Sequence, residues 1–193
     1  LLYFREAETR EEVGRLDEAM RILEPLGARR AGVVVFQPRW LPGDHRPQRF
    51  PFRLVPVLGA LRQAGFRMTL IEEAHDGLPG PTWLSRLSAV DAAVVWLGEM
   101  YPANQIPGTR AFLDLVGPGE RRPVVLGGGF FPLIDVEGLA LGERVSAVVT
   151  GPGEVVLPAL LSALLAGRSA RDVPGVASWE GGRFLSTPPP PRR

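Results

Sequence analysis

The amino-acid sequence predicts an α/β fold, a five-stranded parallel sheet of the Rossmann-like or flavodoxin-like kind with helices on both faces. Short, continuously apolar segments, typical of strands covered on both faces, alternate with segments of helical period. This alternation is typical of parallel sheets, in which right-handed crossovers join successive strands. The natural strand order is then the flavodoxin-like 2-1-3-4-5. We expect this domain to occupy residues 31–170.

The pattern gives each element approximate bounds. Strands are predicted at 31–36, 67–71, 92–97, 123–126 and 145–149. The helices are predicted from Phe52 to the glycine at 65, and at 79–87, 108–116, 133–141 and 154–166.

Two appendages flank this domain. An N-terminal unit at 1–30 contains an amphipathic helix at 5–26, and a C-terminal unit at 171–193 contains a β-hairpin and a Pro-rich linker. The hairpin strands are predicted at 175–179 and 183–186.

Composition excludes several classes of protein. The 193 residues carry a formal net charge of +1 without a dense basic run, so we expect neither a nucleic-acid nor a membrane partner. No apolar run approaches the length of a bilayer span, and a cytoplasmic protein is expected. Because the chain contains no cysteine, it cannot supply thiolate ligands to zinc or to an iron–sulfur cluster.

Glycine and aromatic residues are concentrated in the loops that follow strands one, three, four and five. Because the carboxyl ends of parallel strands meet at one edge, these loops should line one site. Bare glycine backbone beside aromatic rings suits a large planar ligand, and a helix N-terminus offers N–H groups to an anionic or carbonyl-rich tail. The candidate binding residues are Gln37, Pro38, Arg39, Trp40, Gly98, Glu99, Met100, Tyr101, Gly127, Gly128, Gly129, Phe130, Thr150, Gly151, Pro152, Gly153 and Glu154.

Four motifs and their spacing carry a family resemblance. They are Gly-Gly-Gly-Phe-Phe-Pro at 127–132, Val-Val-Thr-Gly-x-Gly-Glu at 148–154, Leu-Pro-x-Leu-Leu at 157–161 and Asp-Val-Pro-Gly-Val at 172–176. In this order, followed by a hairpin, they resemble the cobalamin-binding domain that precedes the radical SAM barrel in B12-dependent radical SAM enzymes. The resemblance covers roughly residues 31–187.

The resemblance implies a cobalamin lying across the carboxyl edge of the sheet, with its nucleotide tail reaching down beside the strands. Glycines 127–129 would border the tail, and Thr150, Gly151, Gly153 and Glu154 would contact its ribose, phosphate or base. Gly98 and Glu99 match the family's loop after strand three by position. Pro152 stands where many relatives have a glutamate, which removes a carboxylate and a backbone donor.

His45 is the candidate metal ligand. Methionine-synthase-type B12 domains carry Asp-x-His-x-x-Gly after strand one, and this histidine ligates cobalt from below. Here Asp44 and His45 are adjacent and Gln48 replaces the glycine, so an exposed loop histidine is the alternative. Arg39 and Trp40 could lie near the lower face of the ring, or pack at the base of the loop.

The resemblance implies a cobalamin-binding module that works in methyl transfer to an unactivated carbon or a related radical rearrangement, with cobalt as the methyl carrier. S-adenosylmethionine and the [4Fe-4S] cluster would belong to a radical SAM barrel in cis or in trans, and no catalytic residue is predicted in this chain. The alternative is a stand-alone, non-catalytic corrinoid-binding sensor or partner-interaction domain. A dinucleotide site fits poorly, since Pro132 occupies the third glycine position and no acidic residue follows at the ribose position.

Overall fold

The structure is a computed structural model that describes residues 31–39, 54–77, 81–98, 102–116, 122–128, 144–180 and 183–188. The helices predicted at 5–26 and 133–141, and the linker after Pro188, lie outside these residues. Within the described ranges, no helix combines the length and apolar character that crossing a membrane requires.

Seven strands form a single mixed sheet in the order β2-β1-β3-β4-β5-β6-β7. The first five pair in parallel and in the predicted order, whereas β5 with β6 and β6 with β7 pair antiparallel. The strands are β1 Gly32–Gln37, β2 Arg67–Glu72, β3 Ala92–Leu97, β4 Val124–Gly128, β5 Ala147–Val149, β6 Val176–Glu180 and β7 Arg183–Ser186.

The predicted count of five strands is therefore wrong. The hairpin that was expected as an appendage continues the main sheet, with Val149 opposite Val176 and Ala147 opposite Ser178. A sheet ending at β5 would leave a row of N–H and C=O groups unpaired, and β6 satisfies them.

The helices among the described residues are α1 Leu54–Gln63, α2 Glu73–Asp76, α3 Pro81–Ser88, α4 Pro102–Val116 and α5 Gly153–Leu165, and a 3-10 turn lies at Ala170–Asp172. The sequence did not indicate α2, and it placed the start of α4 six residues late. Pro107 and Gly108 lie inside α4 and are poor helix formers, which obscured its first half.

Alternating strand residues face two apolar layers. Val33, Val35, Val94 and Trp96 face α1 and α5, which contribute residues such as Leu61 and Leu157. The alternate residues of the same strands point to the other face of the sheet, toward α3 and α4; they include Val34, Phe36, Ala93, Val95 and Leu97. Helices thus cover both faces of the sheet, as predicted.

Phe36 anchors the carboxyl end of β1. Its ring stacks on Phe112 of α4 at a centroid distance of 4.5 Å and meets Trp83 of α3 edge-on at 5.5 Å. Such aromatic pairs contribute on the order of 1 kcal/mol each beyond the burial of their area. The following residues, Gln37 to Arg39, therefore leave the sheet from a fixed position.

Candidate functional site

The carboxyl ends of β1, β3, β4 and β5 form one edge. Phe36 lies opposite Val95, and Leu97 opposite Gly128. Since neighbouring strands lie about 4.8 Å apart, the edge is about 14 Å wide from β1 to β5. The predicted site residues within the described ranges that lie at this edge are Gln37, Pro38, Arg39, Gly98, Gly127, Gly128, Thr150, Gly151, Pro152, Gly153 and Glu154.

Seven predicted residues cannot be placed. Outside the described ranges lie Trp40, His45, Glu99, Met100, Tyr101, Gly129 and Phe130. Their assignments stay predictions.

Gln105 of α4 connects two loops of this edge. Its side chain is 0% exposed; Nε2 donates to the carbonyl oxygen of Pro38 at 2.8 Å, and Oε1 accepts from the N–H of Gly98 at 2.7 Å. Sequence reasoning missed this residue, because a glutamine on a helix is usually solvated. One available signal was its position beside Ile106 on the face of α4 that packs against the sheet.

Arg39 is directed toward α2. Its N–H donates to Oε2 of Glu73 at 2.9 Å, and its guanidinium lies 3.5 and 3.4 Å from the carbonyl oxygens of Glu73 and Ala74. The Glu73 side chain is 5% exposed and lies against Gly108 of α4. The loop after β1 is thus anchored to α2, and Arg39 supports the edge from one side.

Gln37 holds a buried acceptor. The residue is 4% exposed, and its Oε1 has no hydrogen-bond partner among the described residues. By strand alternation its side chain lies on the face of Val33 and Val35, next to α1 and α5. A buried acceptor left without a partner costs about 1–3 kcal/mol, so this oxygen marks a place where a ligand donor would be favourable.

The glycines of β4 do not end the strand, which was expected to stop at Leu126. Ladder pairing continues through Gly127 and Gly128. At Gly128 φ is +140°, and a Cβ there would overlap the carbonyl oxygen of Leu97. This glycine is required by the close approach of the neighbouring strand.

Glycine is required at position 127 because the side chain of Trp96 lies against it. A Cβ at this position would lie 2.6 Å from Cζ3 of Trp96, and a Cβ at Gly153 would overlap Cη2 of the same indole. Trp96, which is 6% exposed, therefore fills the space between β4 and the start of α5, near Val57 of α1. Burial of a side chain of this size stabilises the fold by on the order of 4–6 kcal/mol.

The loop after β5 binds the hairpin. The N–H groups of Thr150 and Gly151 both donate to the carbonyl oxygen of Gly175, at 2.9 and 3.0 Å. Thr150 and Gly151, which were expected to contact a ligand, thus use their N–H groups to connect the edge to the start of β6. Helix α5 begins after Pro152 without a side-chain cap, so its first turn still presents N–H groups and a partial positive charge at this edge.

The described ranges contain no group of three or more His, Cys, Asp or Glu residues that could hold a metal ion. The imidazole of His75, with its side chain 53% exposed, lies 3.2 Å from a carboxylate oxygen of Glu72. Burial raises the pKa of Glu72, His75 lowers it and the Asp76 carboxylate raises it further.

No family model and no curated protein matches the sequence. Among solved structures, the chain is similar to the radical S-adenosylmethionine methyltransferase TsrM from Kitasatospora setae with cobalamin and a [4Fe-4S] cluster bound. The TM-score is 0.63 and the identity 23%, over 83% of this chain and 29% of TsrM. It is also similar to the cobalamin-dependent S-adenosylmethionine radical enzyme OxsB with aqua-cobalamin and S-adenosylmethionine bound. There the TM-score is 0.64 and the identity 13%, over 85% of this chain and 23% of OxsB.

A third similar structure is the methanol:cobalamin methyltransferase complex MtaBC from Methanosarcina barkeri, with a TM-score of 0.51 and 14% identity over 80% of this chain and 54% of that one. This chain spans less than a third of TsrM and of OxsB. At these identities the similarity establishes a shared fold, and the resemblance predicted from the sequence is confirmed at that level.

The described residues fit a corrinoid ring at the edge better than a tail below it. Gln37 offers an unpartnered acceptor to the amide groups at the rim of a corrin, and α5 offers its N-terminus. Gly127 was expected to border the nucleotide tail and Gly153 to contact it, but the indole of Trp96 fills the space between these two glycines.

Proposed function

We propose that this chain is the cobalamin-binding module of a B12-dependent radical SAM enzyme. The observation that carries the proposal is the shared fold with TsrM and OxsB over more than four fifths of this chain, since the structures of both contain cobalamin. The geometry of the carboxyl edge, where ligands of open α/β sheets bind, supports the same function.

The corrin ring would lie over the ends of β1, β3, β4 and β5. Gln37 would accept a hydrogen bond from a peripheral amide, and the N-terminus of α5 would face a carbonyl or phosphate group. Gly98 and Gly128 would allow the ring to approach the backbone. The bound cofactor would supply a cobalt centre that can carry a methyl group, while the chain's own residues hold and orient it.

Methyl transfer would require a radical SAM barrel, in cis or in trans. TsrM is a radical S-adenosylmethionine methyltransferase whose structure contains a [4Fe-4S] cluster. This chain contains no cysteine, so the thiolate ligands of such a cluster must belong to another segment or another chain. The non-catalytic sensor is the less favoured alternative, because the three similar structures are enzymes or a methyltransferase complex.

The proposal is tested by adding hydroxocobalamin to the purified chain and measuring the absorbance of the protein after gel filtration. We expect about one corrinoid per chain and a Kd in the micromolar range or below, about −8 kcal/mol of binding free energy. Hemin and NADH serve as controls for other planar and nucleotide ligands. Failure of hydroxocobalamin to co-elute, or equal retention of hemin, would contradict the proposal.

A further inference from the structure

Trp96 lies one residue before the carboxyl edge of the central strand of the parallel region. It is paired with Gly127 in the ladder, and Leu97 and Gly98 follow it at the edge. Its side chain faces α1 and α5, with the other apolar residues of that layer. The indole is therefore placed directly below the surface on which a corrin ring would rest.

The two glycines around the indole are matched to its shape. A methyl group at Gly127 would lie 2.6 Å from the indole, and one at Gly153 would overlap it and approach Val57 to 3.1 Å. Glycine at these positions makes room for Trp96, because atoms in a packed interior do not approach so closely. The same glycines would otherwise have opened a slot between the sheet and α5.

A nucleotide tail that reached down beside these glycines would need the volume of the indole. The side chain is 6% exposed and is enclosed by β4, α1 and α5, so moving it would expose a large apolar surface and leave the glycines unpacked. Gln37 ends the neighbouring strand level with Trp96, and Gly153 at the start of α5 adjoins the indole.

We infer that Trp96 determines which corrinoids the site binds, because its indole occupies the tail slot: the chain holds the corrin ring at the edge and leaves the nucleotide tail outside the sheet. This inference rests on the proposed function. It predicts a site that recognises the ring and gains little binding free energy from the lower nucleotide. A site that encloses the nucleotide tail would instead bind the complete cofactor more tightly than the ring alone.

The experiment compares hydroxocobalamin with aquacobinamide, which has the ring but no nucleotide, in titrations of the intact chain followed by absorbance. For the unmodified protein we expect the two Kd values to agree within about threefold. Trp96→Ala should open the slot and raise the affinity for hydroxocobalamin by about tenfold, leaving that for aquacobinamide unchanged. Trp96→Leu, which keeps apolar packing, should show a smaller gain in affinity for hydroxocobalamin. It provides the same test if the alanine variant does not fold.

Trp179→Ala is the matched control, because Trp179 packs against Phe184 in the hairpin and not at the edge. It should leave the ratio of the two Kd values unchanged. A preference of the unmodified chain for hydroxocobalamin of about tenfold or more, with no increase in either Trp96 variant, would overturn the inference while supporting the proposed function. Absence of binding by either corrinoid would overturn the proposed function, and the inference with it.

Discussion

Gln105 and Gly98 are joined by a hydrogen bond of 2.7 Å from the backbone N–H of Gly98 to the side-chain oxygen of Gln105. The nitrogen of the same amide donates to the carbonyl oxygen of Pro38 at 2.8 Å. One residue of α4 therefore fixes the relative position of two loops that follow neighbouring strands. Because Gln105 is fully buried, water cannot replace either bond.

Gln105→Ala should lower the free energy of unfolding by about 3 kcal/mol, since it leaves the Gly98 N–H and the Pro38 carbonyl buried without partners. Denaturation by urea would measure this loss. Gln63→Ala, on the exposed side of α1, is the matched control and should change stability by less than about 0.5 kcal/mol. Equal stability of the two variants would show that the amide bridge is not made in solution.

Gly108→Ala should destabilise the protein by about 1–3 kcal/mol, although the same change usually stabilises a helix. The added methyl group would overlap the carboxylate of Glu73, which is buried and accepts the N–H of Arg39. Gly59→Ala is the control, because a Cβ there meets nothing within 4 Å, and it should stabilise α1 by about 0.5–1 kcal/mol.

A double-mutant cycle separates this overlap from a general effect on α4. In a Glu73→Ala background the carboxylate is gone, so Gly108→Ala should become neutral or stabilising. Thermal unfolding of the four proteins gives the coupling free energy between positions 73 and 108. A loss of stability that is the same in both backgrounds would contradict the assigned contact.

The sequence pattern was sufficient to predict the bounds of uniformly apolar elements. It was insufficient to predict structure that depends on contacts between elements. Strand β3 was predicted with its observed bounds, because all its residues are apolar and both its faces are covered. The first half of α4 was missed, since Pro107 weakens the local helix signal and the helix depends on packing. The joining of the hairpin to β5 was also missed, because pairing between distant strands leaves no local pattern.

In the candidate site, too, the sequence predicted which loops lie together but not how their side chains pack. The topology implied that the glycine loops share one edge, and the paired strands place Gly98 and Gly128 there. The pattern could not show that Gly127 accommodates Trp96, because the same glycines would serve an open slot equally well. Only the position of the indole distinguishes the two cases.

Gln37→Leu should weaken the binding of hydroxocobalamin by about 5–30-fold, equivalent to roughly 1–2 kcal/mol, because the variant lacks the buried acceptor offered to a corrin amide. The free energy of unfolding should stay the same or rise by up to about 1–3 kcal/mol, since the buried oxygen removed has no partner among the described residues. Titration by absorbance and denaturation by urea measure the two effects. Gln63→Leu controls for the added apolar surface, and unchanged affinity in Gln37→Leu would show that this oxygen does not contact the ligand.

Glu72→Gln should make the protein more stable than the unmodified chain at neutral pH, with a difference that disappears in acid. Burial raises the pKa of Glu72 above its ordinary value of 4.5, His75 lowers it and Asp76 raises it. The folded state therefore retains a proton that the unfolded state releases, so the contribution of Glu72 is fully present below pH 4.5 and is lost as the pH rises through the folded pKa. The amide of the variant stays neutral and avoids this loss.

Thermal unfolding between pH 4 and pH 8 should show the two curves meeting at the acid end and separating above about pH 4.5. Adding His75→Gln should widen the separation, because the imidazole that lies 3.2 Å from the carboxylate lowers the pKa of Glu72. Parallel curves over the whole range would mean that the Glu72 carboxyl is solvated, and that the end of β2 is more open than the structure shows.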